Sequence, residues 1–418
     1  MSRSNVKQSR REFLEATAHG AAGLVMASAS RNTFADGRGT GDRVHLGVVG
    51  AGGQGSGLIR NLATVPDARI TAVCDIFEPN MKKGVSLAGS NPQTFTDYRK
   101  LIESKDVDGV VIATPLHLHA EIALAALDAG KHVFVEKTMA YSVEQCEQMV
   151  RAAKGHPKLV VQVGHQHRFD PVIHKVVEMS RDGALGRVTH IRCNWHRNGD
   201  WRRPVPRSDF DPRPWGYPDL EHLINWRMYR RYSQGLMAEL GAHMIEIVNL
   251  IYGSMPAAVT AMGGIDYWKD GRETYDNVIA VYTYPAGQKA IFSSTTTNAH
   301  DGEKIEIMGT EGTVEMGWNQ ALYFREKQSP ELVKAEGATV ITATGETMKA
   351  SAQTQAQGSK VESQSKERLS AIYRELESFV SCIRNGKKAE VDVQVGRNAA
   401  VSVLTANRAI EEGRVIKF

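Results

Sequence analysis

The residues best suited to chemistry sit at turns. Gly50-x-Gly52-x-x-Gly55 follows a short apolar run, Val44–Val49, and opens a stretch of helical pattern. Between a strand and a helix, the first glycine of such a set makes the tight turn. The second lets backbone come close to a pyrophosphate, and the third lets helix and strand pack. Gly53 and Gln54 complete the turn, and the helix N-terminus that starts there favours an anion. Asp75 ends the second apolar run, twenty residues past Gly55. A carboxylate at that place accepts hydrogen bonds from both ribose hydroxyls and repels a 2′-phosphate. The expected ligand is therefore NAD, with NADP the lesser candidate. A glycine turn with a purely structural role is the alternative.

Three further groups belong with this turn. Thr114-Pro115-Leu116-His117-Leu118-His119 follows the third apolar run, and Glu136-Lys137-Thr138 follows the fourth. Ligands of open parallel sheets bind outside the carboxyl ends of the strands. Glu239 and His243, in Glu239-Leu240-Gly241-Ala242-His243, are spaced i, i+4 and share one face of a predicted helix. His117, His165 and His167 fall on loops without a helical HxxxH pair, and no metal is expected.

The elements that must position these groups are legible as periodicity. Val44–Val49, Arg69–Cys74, Val107–Ala113 and His132–Val135 read as strands, with helices at Leu58–Ala63 and Glu121–Ala129. Near-continuous Val/Ile runs separated by helices predict a parallel sheet covered on both faces. Val160–Gly164 reads as one more strand, after which the texture changes. Val278–Tyr284 and Ala290–Thr295 alternate and turn at Pro285-Ala286-Gly287, which predicts a mostly antiparallel sheet with one open face. The fold expected is α/β, with a Rossmann dinucleotide-binding domain over 36–160 and an α+β domain over 161–418. Residues 327–367, rich in Lys, Glu, Gln, Ser and Ala, read as a mobile or extended insertion. Leu369–Ile410 is helical in pattern, broken near Gly386, and is expected to pack back on the first domain.

The stretch from Asn194 to Gly235 holds Trp195, Trp201, Trp215 and Trp226, four of the six tryptophans. It also holds Arg197, Arg202, Arg203, Arg207, Arg213, Arg227, Arg230 and Arg231, and its prolines preclude long helices across its middle. Rigid aromatics beside forked donors suit a sugar, an acidic one most of all. Trp195, Trp226 and Arg227 are the candidates for that contact. A face buried against a partner subunit is the alternative. Net charge is +4 over 418 residues without a long basic run, so nucleic acid is not expected. No apolar run reaches the length of a membrane span. Cys74, Cys146, Cys193 and Cys382 are scattered and read as buried thiols.

Together these motifs resemble the Gfo/Idh/MocA oxidoreductases, over nearly everything from Val44 to Phe418 except the insertion. The family's E-K-P stands here as Glu136-Lys137-Thr138, and its T-P-x-x-x-H ends at His119. Its D-x-G-x-H runs from Glu239 to His243, and its G-x-x-x-R-F from Gly164 to Arg168-Phe169. Thr138 in place of proline loosens a backbone constraint, and Glu239 in place of aspartate lengthens a catalytic arm. The resemblance implies that Lys137 lies by the nicotinamide and stabilises alkoxide charge. It implies that His243, ordinarily titrating near 6.5, takes the hydroxyl proton, that Glu239 orients substrate or lysine, and that Arg168 walls the substrate site. It also implies a homodimer or homotetramer built on the open sheet face.

Ser9-Arg10-Arg11-Glu12-Phe13-Leu14, followed by small residues to Ala27-Ser28-Ala29, resembles a twin-arginine signal peptide over 1–35. That implies export to the periplasm, and a cytoplasmic location if the signal goes unused. An exported chain would carry its NAD tightly bound and restore it within its own cycle. The expected activity is oxidation at a CH–OH group of a sugar or sugar derivative. One alternative is a redox-neutral glycosidase of the same fold, working by transient C3 oxidation, elimination and hydration. The other is a non-catalytic dinucleotide- or sugar-binding sensor.

Overall fold

A computed structural model gives the fold over residues 43–317, 320–326, 339–341, 347–349, 358–362 and 370–418. The expected signal peptide lies outside the described residues, as does most of the expected insertion at 327–367.

The first half alternates strand and helix. In order these are β1 (Val44–Val49), α1 (Gly53–Leu62), β2 (Ala68–Cys74), α2 (Glu78–Ala88), β3 (Gln93–Phe95), α3 (Tyr98–Glu103), β4 (Gly109–Ile112), α4 (His119–Asp128), β5 (His132–Glu136), α5 (Val143–Gly155) and β6 (Val161–Gly164). The six strands form one parallel sheet ordered 3-2-1-4-5-6. This is the doubly wound Rossmann arrangement, whose switch point lies between β1 and β4. Leu46, Val48, Val111 and Phe134 are fully buried, as a sheet covered on both faces demands. Val161–Gly164 pairs with β5, so the first sheet extends past residue 160. The short edge strand β3 was not expected, because Gln93-Thr94-Phe95 carries no apolar run.

The second half builds one nine-stranded sheet. After α6 (Pro171–Arg181) it includes β7 (Val188–Asn198), then, past α7 (Leu220–Ile224) and α8 (Ala242–Tyr252), β8 (Ala258–Gly264), β9 (Asn277–Thr283), β10 (Lys289–Thr295), β11 (Thr297–Gly309), β12 (Gly312–Gly317) and β13 (Gln320–Arg325). Every pairing is antiparallel except β7 with β10. Alternate residues such as Ile191, Cys193, Ala290 and Phe292 face a core shared with α6 and α8. The other face is open and carries exposed Met262, Ile279, Val281, Ile291 and Leu322.

Two C-terminal helices, α9 (Ala371–Asn385) and α10 (Val393–Glu412), return to the first half. Gly386, at φ 60°, caps α9. Leu376, Phe379 and Val380 join the core under β1 and α1. α10 packs on α5 and β6 on one side and on α8 and β8 on the other.

Candidate active site

The glycine turn has a geometric reason at each end. Gly50 has φ +91°, and a Cβ there would stand 2.6 Å from Ala113 O. At Gly55 a Cβ would stand 1.8 Å from Gly50 O, so only glycine lets α1 sit this close to β1. Gly52 differs. The nearest atom to a Cβ there is Asn80 Nδ2 at 3.8 Å, leaving the start of α1 open to an approaching anion. Asp75 is held in place by two backbone donors, Ala51 N at 2.7 Å and Phe77 N at 2.8 Å. Burial pushes its carboxyl up to about 6, against the pull of those N–H groups. Beside the turn, Thr114 Oγ1 is buried without a hydrogen-bond partner among the described residues. An uncrowded Gly52 at the helix start, a carboxylate at the end of β2 and an orphan hydroxyl together fit a nicotinamide dinucleotide.

Some expected cofactor contacts are instead struts. Gln54 Nε2 donates to Glu136 Oε1 at 2.6 Å, and Lys137 N donates to the other oxygen at 3.2 Å. Glu136 thus pins α1 to the end of β5. His119 spans the two strand-end loops, with Nδ1 2.8 Å from Thr138 O and Nε2 2.9 Å from Thr114 O. Burial lowers its pKa despite those carbonyls. The neutral ring donates its one N–H to one of these two carbonyls, which places His119 between the loops that Thr114 and Thr138 begin.

Lys137, Glu239 and His243 lie together where the two halves touch. Residues Met237–Gly241 form a π-helical turn ahead of α8. Such a turn loosens the regular ladder, and two of its carbonyls accept from the end of β5. Thr138 Oγ1 donates to Ala238 O at 2.8 Å, and Lys137 Nζ donates to Glu239 O at 3.0 Å. The backbone loosening expected of Thr138 is therefore replaced by a buried hydroxyl tie. Across this turn Glu239 and His243 keep their i, i+4 spacing, and the Lys137 charge acts on both. The Glu239 carboxylate accepts from Arg227 Nε at 2.7 Å, and Arg227 in turn lies 4.2 Å over the Trp226 ring. Burial opposes the charge of Glu239, but Arg227 and Lys137 hold its carboxyl below the ordinary range.

His243 turns to a different set. Its ring lies 4.8 Å from His167, 5.4 Å from Trp195 and 6.5 Å from His165. Its Nδ1 is buried with no partner among the described residues. Burial, reinforced by Lys137 and the two histidines, drives its pKa well below 6.5 rather than leaving it near that value. Burial likewise takes His165 and His167 down to about 3. Nothing in the sequence points His165 and His167, which fall within the Gly164–Phe169 segment, at His243. Among the described residues no three His, Cys, Asp or Glu side chains converge as a metal site.

The expected substrate residues divide. Trp195 is 8% exposed and walls His243 from within the core, so it offers no open stacking platform. Arg168 is spent: its guanidinium binds Glu246, 2% exposed, and reaches Glu390 at 3.3 Å. Half of the eight arginines in the stretch read as a sugar arm are paired with carboxylates. Arg202 binds Glu221 and Asp270, Arg213 binds Asp211, and Arg230 binds Glu411. Arg197, Arg203, Arg207 and Arg231 form no ion pair among the described residues. The arm folds back over the first half, with Phe210 edge-on to Phe77 at 5.6 Å and Tyr217 edge-on to His117 at 6.0 Å.

A family model described as an oxidoreductase family with an NAD-binding Rossmann fold matches residues 44–165, and the GFO/IDH/MocA C-terminal domain matches 173–315. Inositol 2-dehydrogenase of Rubrobacter xylanophilus is 38% identical over 291 residues, 67% of this chain and 73% of that protein. The chain belongs to the Gfo/Idh/MocA family. Among other family relatives, 2,7-anhydro-N-acetylneuraminate hydratase of Mediterraneibacter gnavus is 30% identical over 222 residues, 53% of this chain and 52% of that protein. The chain spans about half the length, or less, of several curated relatives it matches. Levoglucosan dehydrogenase, in a complex with NADH and levoglucosan, shares the fold with a TM-score of 0.72 at 18% identity, covering 90% of this chain and 99% of that one.

Proposed function

We propose that this chain is an NAD-dependent oxidoreductase acting on a CH–OH group of a sugar or sugar derivative, with the dinucleotide tightly held. The observation that carries this reading is the meeting of Lys137 and His243. They come from the two halves, beside the open glycine turn, with the lysine fixed by the Glu239 carbonyl and the histidine kept neutral by burial. A nicotinamide held at Gly50–Gly55 and Asp75 supplies hydride acceptance. The chain does the rest. Lys137 donates to the substrate oxygen and stabilises its developing charge. His243, neutral and enclosed, accepts the hydroxyl proton at an imidazole nitrogen. Glu239 neutralises Arg227 and sets the lysine through its backbone rather than touching substrate. The carboxylate of Asp75 favours NAD over NADP.

The relatives named as inositol and levoglucosan dehydrogenases support a polyhydroxylated substrate. The hydratase relative supports a second reading, in which the same groups run a cycle with no net redox change, as in a glycosidase. Export before use, by the twin-arginine-like segment, belongs to either reading, as does self-association through the apolar open sheet face. Denaturing the purified protein and assaying released dinucleotide tests the first reading. Near-stoichiometric NAD(H) is expected. Protein that carries none and binds added NAD only weakly refutes tight retention. Lys137→Ala should keep the dinucleotide and lose turnover on every sugar that the wild type converts.

A further inference from the structure

The arm between β7 and the π turn places one arginine differently from its neighbours. Arg203 has its backbone clamped by a single buried side chain. Arg203 N donates to Asn225 Oδ1 at 2.7 Å, and Asn225 Nδ2 donates to Arg203 O at 3.0 Å. Asn225 is 3% exposed and is itself fixed by Glu221 Oε2 at 2.9 Å. The preceding residue, Arg202, is staked by Glu221 and Asp270. The chain is thus held on both sides of Cα203, which aims the side chain.

That side chain points back to the first half. A Cβ built on Gly53, the first residue of α1, would stand 3.4 Å from Arg203 Nη1 and 3.7 Å from Nη2. The guanidinium therefore lies over the start of α1, where free N–H groups and the helix dipole already concentrate positive charge. The exposed Arg203 makes no side-chain hydrogen bond or ion pair among the described residues, as is also true of Arg207 and Arg231, and it differs from them in lying over the start of α1. The nearest acid that acts on it, Glu239, is already committed to Arg227. A forked cation set beside a positive helix end suits a ligand carrying at least two phosphoryl oxygens.

We infer that Arg203 is a pyrophosphate-binding residue, supplied by the second half of the chain across the cradle of the first, and that Asn225 positions it. The inference rests on the dinucleotide reading above and goes beyond it, because the glycine turn alone needs no such residue. Phe210 on Phe77 and Tyr217 beside Ile76 carry the same arm along the ribose side. The bound dinucleotide is then enclosed between α1 and the arm.

Direct binding to the purified full-length protein tests this, with NAD, ADP and adenosine as probes. Arg203→Gln should weaken NAD and ADP by about 10- to 100-fold, speed NAD dissociation, and leave adenosine unchanged. Arg203→Lys should recover part of the loss, and Asn225→Ala should weaken ADP with a smaller factor. Unchanged melting temperature in Arg203→Gln separates the effect from folding. Equal affinity of wild type and Arg203→Gln for NAD and ADP overturns the inference and leaves the dinucleotide reading standing. A parallel loss for adenosine also overturns it, since that places Arg203 away from the phosphates. A wild type that binds none of the three overturns the dinucleotide reading itself.

Discussion

Asp75 makes dinucleotide affinity depend on pH in a direction the structure specifies. Its carboxyl is pushed up to about 6 by burial, while Ala51 N and Phe77 N hold the ionised form in place. Ribose hydroxyls donate to the carboxylate more strongly than to the acid, so binding favours the ionised state. Below pH 6 the free protein must first release a proton, and affinity falls. With the complex ionised throughout, Kd at pH 5 exceeds Kd at pH 7.5 by roughly tenfold, equivalent to about 1.4 kcal/mol. Titration calorimetry of dinucleotide-free protein with NAD at the two pH values measures it. Asp75→Asn should bind with the weaker affinity at both. A wild-type Kd that does not change, or an equal slope in Asp75→Asn, refutes the assignment of the ribose contact.

Other perturbations follow from the same geometry. At saturating dinucleotide, kcat/KM for the sugar should stay level as pH falls from 7.5 to 6, because the His243 base titrates well below 6.5. His243→Gln should lower kcat by about 10²- to 10⁴-fold in steady-state assays. Arg168→Ala should cost about 3 kcal/mol in urea unfolding near neutrality by stranding Glu246. With its partner gone, the Glu246 folded-state pKa rises further above the unfolded one. That cost should therefore shrink as pH falls and the carboxyl takes a proton. Gly55→Ala, whose Cβ would meet Gly50 O at 1.8 Å, should destabilise by about 3 kcal/mol and abolish NAD binding, read by calorimetry and titration.

The Rossmann half was legible because its signals are local. Val/Ile runs name the strands, and the glycine spacing needs only one turn to make sense. Lys137 and His243 were found because the strand-end rule and a family pattern mark them. What escaped depended on partners far along the chain. Arg168 looks like a ligand until Glu246, from α8, is seen to hold it. Glu239 looks free to orient a substrate until Arg227, twelve residues earlier, is seen to hold it. Composition marked the Trp/Arg arm as special without saying which arginines would be neutralised, since Glu221, Asp270 and Glu411 lie on separate elements. Nothing in the spacing of Asn225 from Arg203 announces a backbone clamp.

The two C-terminal helices bear on when the site comes into being during synthesis. The core beneath β1 and α1 takes Leu376, Phe379 and Val380 from α9, and β6 is met by α10, with Gly396 against Val163. A ribosome delivers the glycine turn more than three hundred residues before these partners. Contacts this distant in sequence close late, after the entropy of the intervening loop has been lost. The nascent first half is left with an uncovered apolar sheet, a state prone to association until the last segment emerges. The dinucleotide thus meets a finished cradle only after α9 and α10 have emerged, and a chain that loses these helices should fail at cofactor loading rather than at chemistry.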